Sequence, residues 1–135
     1  MIAVDSSVLV DVLAGDPRFA DVSLASLGEA LGASDVVVCD AVVVEIHTLL
    51  AGSESTMEGL SSLGIRYLPT TEQAAVRAGH MQRRFLDRGG RRERVIADFL
   101  IGAHALLQCD ALVTRDADFF RDYFKGLKVI EPRLR

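Results

Sequence analysis

The chain has 135 residues, of which 50% are hydrophobic and 25% charged, and its formal net charge is −4. This length is typical of one domain, and the composition is that of a globular protein rather than a disordered one, so we treat residues 1–135 as a single domain. No apolar run approaches the roughly 20 residues that a membrane span requires. The N-terminal sequence has neither the basic region nor the cleavage motif of a secretory signal, so we expect a cytoplasmic protein. Cys39 and Cys109 lie in or beside apolar runs, which favours two reduced buried thiols over a disulfide or a metal pair.

Hydrophobic patterning alternates between strand-like and helix-like segments along the whole chain. Short apolar runs predict strands over residues 2–4, 36–39, 65–68, 111–114 and 128–130. Helical spacing of apolar residues predicts helices over residues 6–14, 17–31, 40–50, 53–63, 71–86, 95–108 and 118–124. Asp16 and Asp40 are predicted to cap the second and third helices. Strands separated by helices imply βαβ crossovers, and therefore an α/β fold with a parallel sheet and helices on both faces.

Charge is distributed unevenly along the chain. Residues 1–65 hold ten acidic residues and one basic residue, whereas residues 66–135 hold nine acidic and fourteen basic residues. Seven arginines fall within residues 77–94, which we call the arginine stripe. Such a stripe is compatible with a phosphate-bearing partner that meets one face, although arginine-rich helices are often only solvated. The arginines that we expect to contact phosphate are Arg83, Arg84, Arg88, Arg91, Arg92 and Arg115.

Four acidic residues lie at or just past the ends of apolar runs, namely Asp5, Glu45, Asp98 and Asp116. Ligands of open parallel sheets bind beyond the carboxyl ends of the strands, so we expect these carboxylates to meet there. Each pair would repel by roughly 4 kcal/mol at about 4 Å and an effective dielectric near 20, and a cation must therefore occupy the site. Mg²⁺ and Mn²⁺ prefer oxygen ligands and promote phosphodiester hydrolysis, whether one ion acts or two. The sequence therefore predicts a metal-dependent phosphodiesterase.

Two of these acids are unusual because they lie within apolar helical segments. Glu45 has valine and isoleucine neighbours. Asp98 is likewise flanked by apolar residues, namely Val95, Ile96, Phe99 and Leu100. An ionised side chain in such a segment is costly unless it has a partner. The Thr114 hydroxyl could orient a carboxylate of the site, and Ser7 could hydrogen-bond within it.

Four segments, MIAVDSSVLV, VVVEIHTLL, IADFLIGAHA and LVTRDADFF, together resemble the signature blocks of a PIN domain, in particular of the VapC-type ribonuclease toxins of toxin–antitoxin pairs. The resemblance covers nearly the whole chain. It implies a five-stranded parallel sheet in the order 3-2-1-4-5 and Mg²⁺- or Mn²⁺-dependent endonucleolytic cleavage of RNA. The residues that it assigns to the metal-binding and catalytic site are Asp5, Glu45, Asp98 and Asp116, supported by Thr114. It leaves the role of Asp118 less defined, and Ser7 stands where many relatives have asparagine.

The same resemblance implies two protein partners. Toxins of this type form homodimers and bind a small antitoxin, which commonly places a basic side chain near the acidic site. We therefore expect a homodimer, a cognate antitoxin and an RNA substrate.

Two other functions fit parts of the pattern. A non-catalytic RNA-binding or interaction module on the same fold would bind through its arginines without turnover, but it would have no need to keep four repelling carboxylates. A phosphatase with Asp5 as nucleophile commonly needs a second aspartate two residues later, where this chain has Ser7.

Several other polar and aromatic residues are expected to have structural roles. We expect His104 to be a packed or hydrogen-bonded helix residue and Asp11 to lie at the surface or in a turn. The aromatic residues near the last acidic segment are Phe119, Phe120, Tyr123 and Phe124. Their helical spacing favours a role in the core or a dimer interface over a role as a base-stacking platform.

Overall fold

The computed structural model describes residues 1–50, 55–90 and 96–134. Within these ranges the chain forms five strands, which are β1 (Ile2–Val4), β2 (Val36–Val38), β3 (Ile65–Tyr67), β4 (Ala111–Val113) and β5 (Val129–Ile130). It also forms seven helices, which are α1 (Ser6–Ala14), α2 (Ala20–Ala33), α3 (Asp40–Leu49), α4 (Thr56–Ser62), α5 (Glu72–Asp87), α6 (Ile96–Gln108) and α7 (Ala117–Tyr123). The predicted alternation of strands and helices is confirmed.

All five strands pair in parallel in one sheet, in the order β3-β2-β1-β4-β5. The predicted fold class and strand order are therefore confirmed. Every residue of β1, β2 and β4 is buried, which is why these strands are continuous valine-, isoleucine- and alanine-rich runs without polar alternation. Because all strands run the same way, their last residues lie along one side of the sheet, which we call the carboxyl edge.

The aromatic residues at the end of the chain belong to the core. Phe119, Phe120 and Phe124 are buried, and the Tyr123 ring packs 5.2 Å from the Phe119 ring and is partly exposed. Gly102 on α6 lies directly under the Phe124 ring, where a Cβ atom would approach the ring to 2.2 Å. The core interpretation of this cluster is confirmed.

Some predicted helix boundaries and caps differ from the observed ones. Asp16 does cap, since its carboxylate accepts the backbone N–H groups of Arg18 and Phe19, each at 2.8 Å. These bonds form a turn, however, and the regular helix α2 begins only at Ala20 and continues to Ala33. Asp40 is not the cap of α3, because Cys39 occupies that position.

The side chain of Asp40 has a different partner from the one expected of a cap. Its carboxylate accepts the backbone N–H of Thr70 at 3.0 Å and also the Thr70 hydroxyl. Asp40 therefore ties the start of α3 to the segment that follows β3. Of the predicted helices over residues 53–63 and 95–108, the first residues lie outside the described ranges.

Two further expectations concern the thiols and the membrane. Cys39 and Cys109 are free, and burial raises the pKa of each thiol to about 11. Because the thiolate is the reactive form, both are chemically inert at neutral pH. In the described part of the chain, none of the helices has the length and apolar character needed to cross a bilayer.

Candidate active site

Asp5 lies at the carboxyl edge, directly after β1, and its side chain is buried. It precedes α1 but makes no capping bond to that helix. Its Oδ2 atom instead accepts hydrogen bonds from the Thr114 hydroxyl at 2.6 Å and the Ser7 hydroxyl at 2.9 Å. Burial raises the pKa of Asp5, and the bonds from Thr114 and Ser7 partly oppose that rise. The second oxygen, Oδ1, lies 3.4 Å from the Ser6 hydroxyl.

Glu45 reaches Asp5 through the hydroxyl of Ser6. The Ser6 Oγ atom lies 2.9 Å from Glu45 Oε1 and 3.4 Å from Asp5 Oδ1, so one hydroxyl bridges carboxylates from α3 and β1. Burial raises the pKa of Glu45, the Ser6 bond opposes it, and the negative charge of Asp5 raises it further. The two carboxylates are therefore close enough to interact electrostatically.

Asp116 is joined to Asp5 by Thr114. Thr114 follows β4 and is fully buried; its oxygen accepts the backbone N–H of Asp116 at 3.0 Å while its O–H donates to Asp5. The charge of Asp116 contributes to the raised pKa of Asp5. The structure thus brings Asp5, Glu45 and Asp116 together at the carboxyl edge, and it places Thr114 and Ser7 where the sequence suggested a supporting hydroxyl.

Asp98 lies half-buried in the first turn of α6, where the helix dipole favours an anion. The next residue, Phe99, is completely buried and anchors this turn to the core. None of the hydrogen bonds described above includes Asp98, so its membership of the site stays a prediction. Asp118 is exposed in the first turn of α7.

Asp11 was expected at the surface or in a turn, and that expectation was wrong, because it lies buried within α1. Asp11 is only 1% exposed, because its carboxylate accepts two hydrogen bonds from the Arg115 guanidinium, at 2.6 and 2.9 Å, and one from the Ser23 hydroxyl at 2.7 Å. The guanidinium also stacks over the Phe19 ring, 4.1 Å from its centroid. A signal existed in the sequence: Asp11 is four residues after Ser7 and therefore on the same face of α1.

The pairing with Asp11 gives Arg115 an internal partner. Its backbone N–H also donates to Ser7 Oγ at 3.3 Å, so the residue helps to hold the segment between Thr114 and Asp116 against α1. A contact between Arg115 and RNA phosphate stays a prediction.

Three other predicted phosphate-contacting arginines, Arg83, Arg84 and Arg88, lie on α5 or directly after it. Arg83 pairs with Asp87 at 3.3 Å, and Arg88, directly after α5, pairs with Asp122 at 3.6 Å. Arg84 is exposed. Arg91 and Arg92 lie outside the described residues.

The expectation for His104 agrees with its position. Its side chain is buried, and Nε2 lies 2.9 Å from the carbonyl oxygen of Leu68. Burial lowers the pKa of His104, which favours the neutral imidazole. The residue therefore connects α6 to the end of β3 and is not one of the site's hydrogen-bonding groups.

The donor set at the carboxyl edge fits a hard divalent cation. Its side chains are carboxylates and hydroxyls: Thr114 and Ser7 both donate to Asp5 Oδ2, and Ser6 bridges Asp5 Oδ1 to Glu45. Oxygen donors are what Mg²⁺ and Mn²⁺ prefer. Within residues 1–50, 55–90 and 96–134, however, no three acidic, imidazole or thiol side chains are arranged as a ready metal site.

Several solved structures of toxins and toxin–antitoxin complexes share this fold. VapBC2 from Rickettsia felis, bound to a DNA fragment from its promoter, is 18% identical, with a TM-score of 0.72 over 97% of this chain and 98% of that chain. FitAcB from Neisseria gonorrhoeae is 23% identical, with a TM-score of 0.65 over 98% of both chains. VapC20 from Mycobacterium tuberculosis, a sarcin–ricin-loop-cleaving toxin, is 21% identical, with a TM-score of 0.66 over 95% of this chain and 99% of that chain. At these identities the likeness establishes the fold.

Sequence comparison identifies the family directly. A search of curated protein sequences finds no significant match. The sequence profile of the PIN domain, by contrast, matches residues 2–125, which is nearly the whole chain. This protein therefore belongs to the PIN domain family.

Proposed function

We propose that this protein is a Mg²⁺- or Mn²⁺-dependent endoribonuclease and the toxin of a toxin–antitoxin pair. The observation that carries the proposal is the hydroxyl-linked group at the carboxyl edge, in which Ser6 bridges the carboxylates of Asp5 and Glu45 and Thr114 links the Asp5 carboxylate to the backbone N–H of Asp116. PIN domains are typically nucleases that use divalent metals. The sarcin–ricin-loop-cleaving activity of VapC20, which shares this fold, supports RNA as the substrate class.

The site's own residues explain why a cation is needed there. Burial and neighbouring negative charge both make the ionised forms of Asp5 and Glu45 unfavourable. A cation bound between the carboxylates would compensate this negative charge. The residues that would hold it are Asp5, Glu45, Asp98 and Asp116. A bound divalent ion would neutralise charge on the RNA phosphate and make a water molecule more acidic.

The hydroxyl groups position the carboxylates for this task. Thr114 and Ser7 both donate to Asp5 Oδ2, which fixes the plane of the carboxylate and directs Oδ1 toward Glu45. Partners that orient a ligand in this way typically contribute 10- to 100-fold to metal affinity or activity. Thr114 is the more important of the two because it also accepts the N–H of Asp116.

A cleavage assay with matched variants tests the proposal. Purified protein with Mn²⁺ should cleave structured RNA, and Asp5→Asn and Asp98→Asn should abolish cleavage while circular dichroism shows an unchanged fold. Thr114→Val, which keeps the shape of the side chain but removes its hydroxyl, should lower the rate by about 10- to 100-fold. Asp21→Asn removes a carboxylate from the exposed surface of α2 and should leave the rate unchanged.

Two outcomes would contradict the proposed activity. Cleavage that persists in excess chelator would exclude the metal from the reaction. RNA binding without turnover, at every metal concentration tested, would favour the alternative of a non-catalytic RNA-binding module.

The proposed antitoxin has a separate support and a separate test. Structures that share this fold include a toxin–antitoxin complex from Klebsiella pneumoniae, one chain of which is 16% identical to this one. We expect a small protein encoded beside this gene to co-purify with the chain and to inhibit its nuclease activity. The homodimer stays a prediction, which the molar mass of the purified chain in solution would test.

A further inference from the structure

A small positively charged cleft lies between α5 and the end of α7. Three basic side chains line it, Arg84 and Arg88 from α5 and its C-terminal end and Lys125 from the residues after α7. The rest of the lining is Met81, Asp122 and Tyr123. Arg84 and Arg88 are four residues apart, which places them on the same face of the chain at the end of α5. Three cations therefore converge against a single carboxylate.

The guanidinium of Arg88 is held from two sides. It lies 5.2 Å from the centroid of the Tyr123 ring and 3.6 Å from Asp122 Oδ2. A guanidinium fixed by an aromatic face and a carboxylate loses little freedom when it binds a further anion, and its remaining N–H donors suit the oxygens of a phosphate. Arg84 and Lys125 have no ion-pair partner among the described residues.

The dimensions of the cleft restrict what it can hold. Its volume is about 60 Å³. One water molecule needs roughly 10–15 Å³, so the cleft is several times larger than a water site. Its volume suits a single tetrahedral oxyanion. Its lining contains three basic groups, so the ligand is anionic.

We propose that this cleft binds one backbone phosphate of the RNA substrate at a distance from the cleaved bond. The inference rests on the proposed nuclease function for the identity of the ligand. Arg84 and Arg88 are then the arginines of the stripe that contact this phosphate. Arg83 belongs to the same stripe, but it is paired with Asp87 and does not line the cleft.

Packing connects the cleft to the candidate active site. The Tyr123 ring that supports Arg88 packs 6.1 Å from the Phe99 ring and 5.2 Å from the Phe119 ring. Phe99 directly follows Asp98, and Phe119 lies in the first turn of the helix that Asp116 precedes. The aromatic ring that supports Arg88 therefore packs against rings from both of these acidic segments.

The salt dependence of RNA binding tests this subsite. For single strands, log K falls with log [salt] with a slope of about −0.7 for each neutralised phosphate. The double variant Arg84→Gln/Lys125→Gln should therefore bind a single-stranded RNA oligonucleotide with a slope about 0.7 smaller in magnitude than that of wild type, and about fivefold more weakly at 0.1 M salt. The matched control Arg121→Gln/Lys128→Gln loses the same charge from exposed positions outside the cleft and should keep the wild-type slope.

Binding is measured in chelator, so that the result does not depend on cleavage. A double variant with the same slope as wild type overturns the subsite, and so does a wild-type protein that does not bind RNA at all. A larger loss of affinity for duplex DNA than for RNA would overturn it in favour of a DNA contact. A reduced slope in a protein that never cleaves RNA with Mn²⁺ would retain the subsite and reject the nuclease.

A second measurement detects the anion directly. Inorganic phosphate should produce saturable shifts in the Nε–H resonances of Arg84 and Arg88 in wild-type protein. The control variant should behave like wild type. If phosphate shifts the Arg88 resonance as much in the Arg84→Gln/Lys125→Gln protein as in wild type, binding in the cleft is contradicted.

Discussion

Replacing Arg115 with methionine should destabilise the protein by about 3–5 kcal/mol, because it leaves the carboxylate of Asp11 buried without its cation. The Asp11 side chain is 2% exposed and the Arg115 side chain 31% exposed. The change removes both guanidinium bonds and leaves Ser23 as the hydrogen-bond donor to Asp11. Chemical denaturation with urea, monitored by circular dichroism, gives the free energy of unfolding.

Unequal exposure predicts unequal effects for the two partners. Asp11→Leu leaves a guanidinium that can turn toward water and remain over the Phe19 ring, so this variant should lose less stability than Arg115→Met. The double variant Asp11→Leu/Arg115→Met should recover most of the loss, because apolar replacements of buried ion pairs are often neutral or stabilising. A double-mutant cycle of the three proteins measures the coupling.

An exposed ion pair in the same protein provides the control. The side chains of Arg83 and Asp87 are 79% and 64% exposed, and Arg83→Met should change the free energy of unfolding by no more than about 0.5 kcal/mol. High salt should weaken this surface pair further and leave the effect of Arg115→Met nearly unchanged. A loss below about 1 kcal/mol for Arg115→Met would refute the reasoning, since Arg115 and Asp11 would then behave as a surface pair.

Three more variants test the site and the core. Burial raises the pKa of Asp5, so in chelator its contribution to stability is fully present below its ordinary pKa, near 4, and is lost as the pH rises through the raised value. Asp5→Asn should therefore stabilise the metal-free protein by about 1 kcal/mol at pH 7 and by less at pH 4, and a pH-independent difference in urea unfolding would contradict this. Gly102→Ala places a Cβ 2.2 Å from the Phe124 ring and should lower the free energy of unfolding by about 1–3 kcal/mol. Gly79→Ala, with open space around it, should raise the free energy of unfolding by up to about 1 kcal/mol. Similar thermal shifts for both variants would exclude the clash.

Local sequence was sufficient for the elements and for much of the candidate site. Runs of buried valine and isoleucine identify the central strands, because a strand covered on both faces has no solvent side that would need polar residues. The position of Asp5 directly after β1 places it at the carboxyl edge of any parallel sheet. Resemblance to the PIN domain added the strand order, which local patterning does not contain.

Tertiary structure decided which polar groups meet. Asp11 and Arg115 are 104 residues apart, and Ser6 and Glu45 are 39 apart, so no local pattern links them. Asp11 looked like a surface residue because a charged side chain is normally solvated, and only the packing of α1 beside the end of β4 supplies the guanidinium that makes its burial tolerable. The periodicity of a chain determines which face of each element is apolar, but the contacts between charges depend on how those faces are brought together in space.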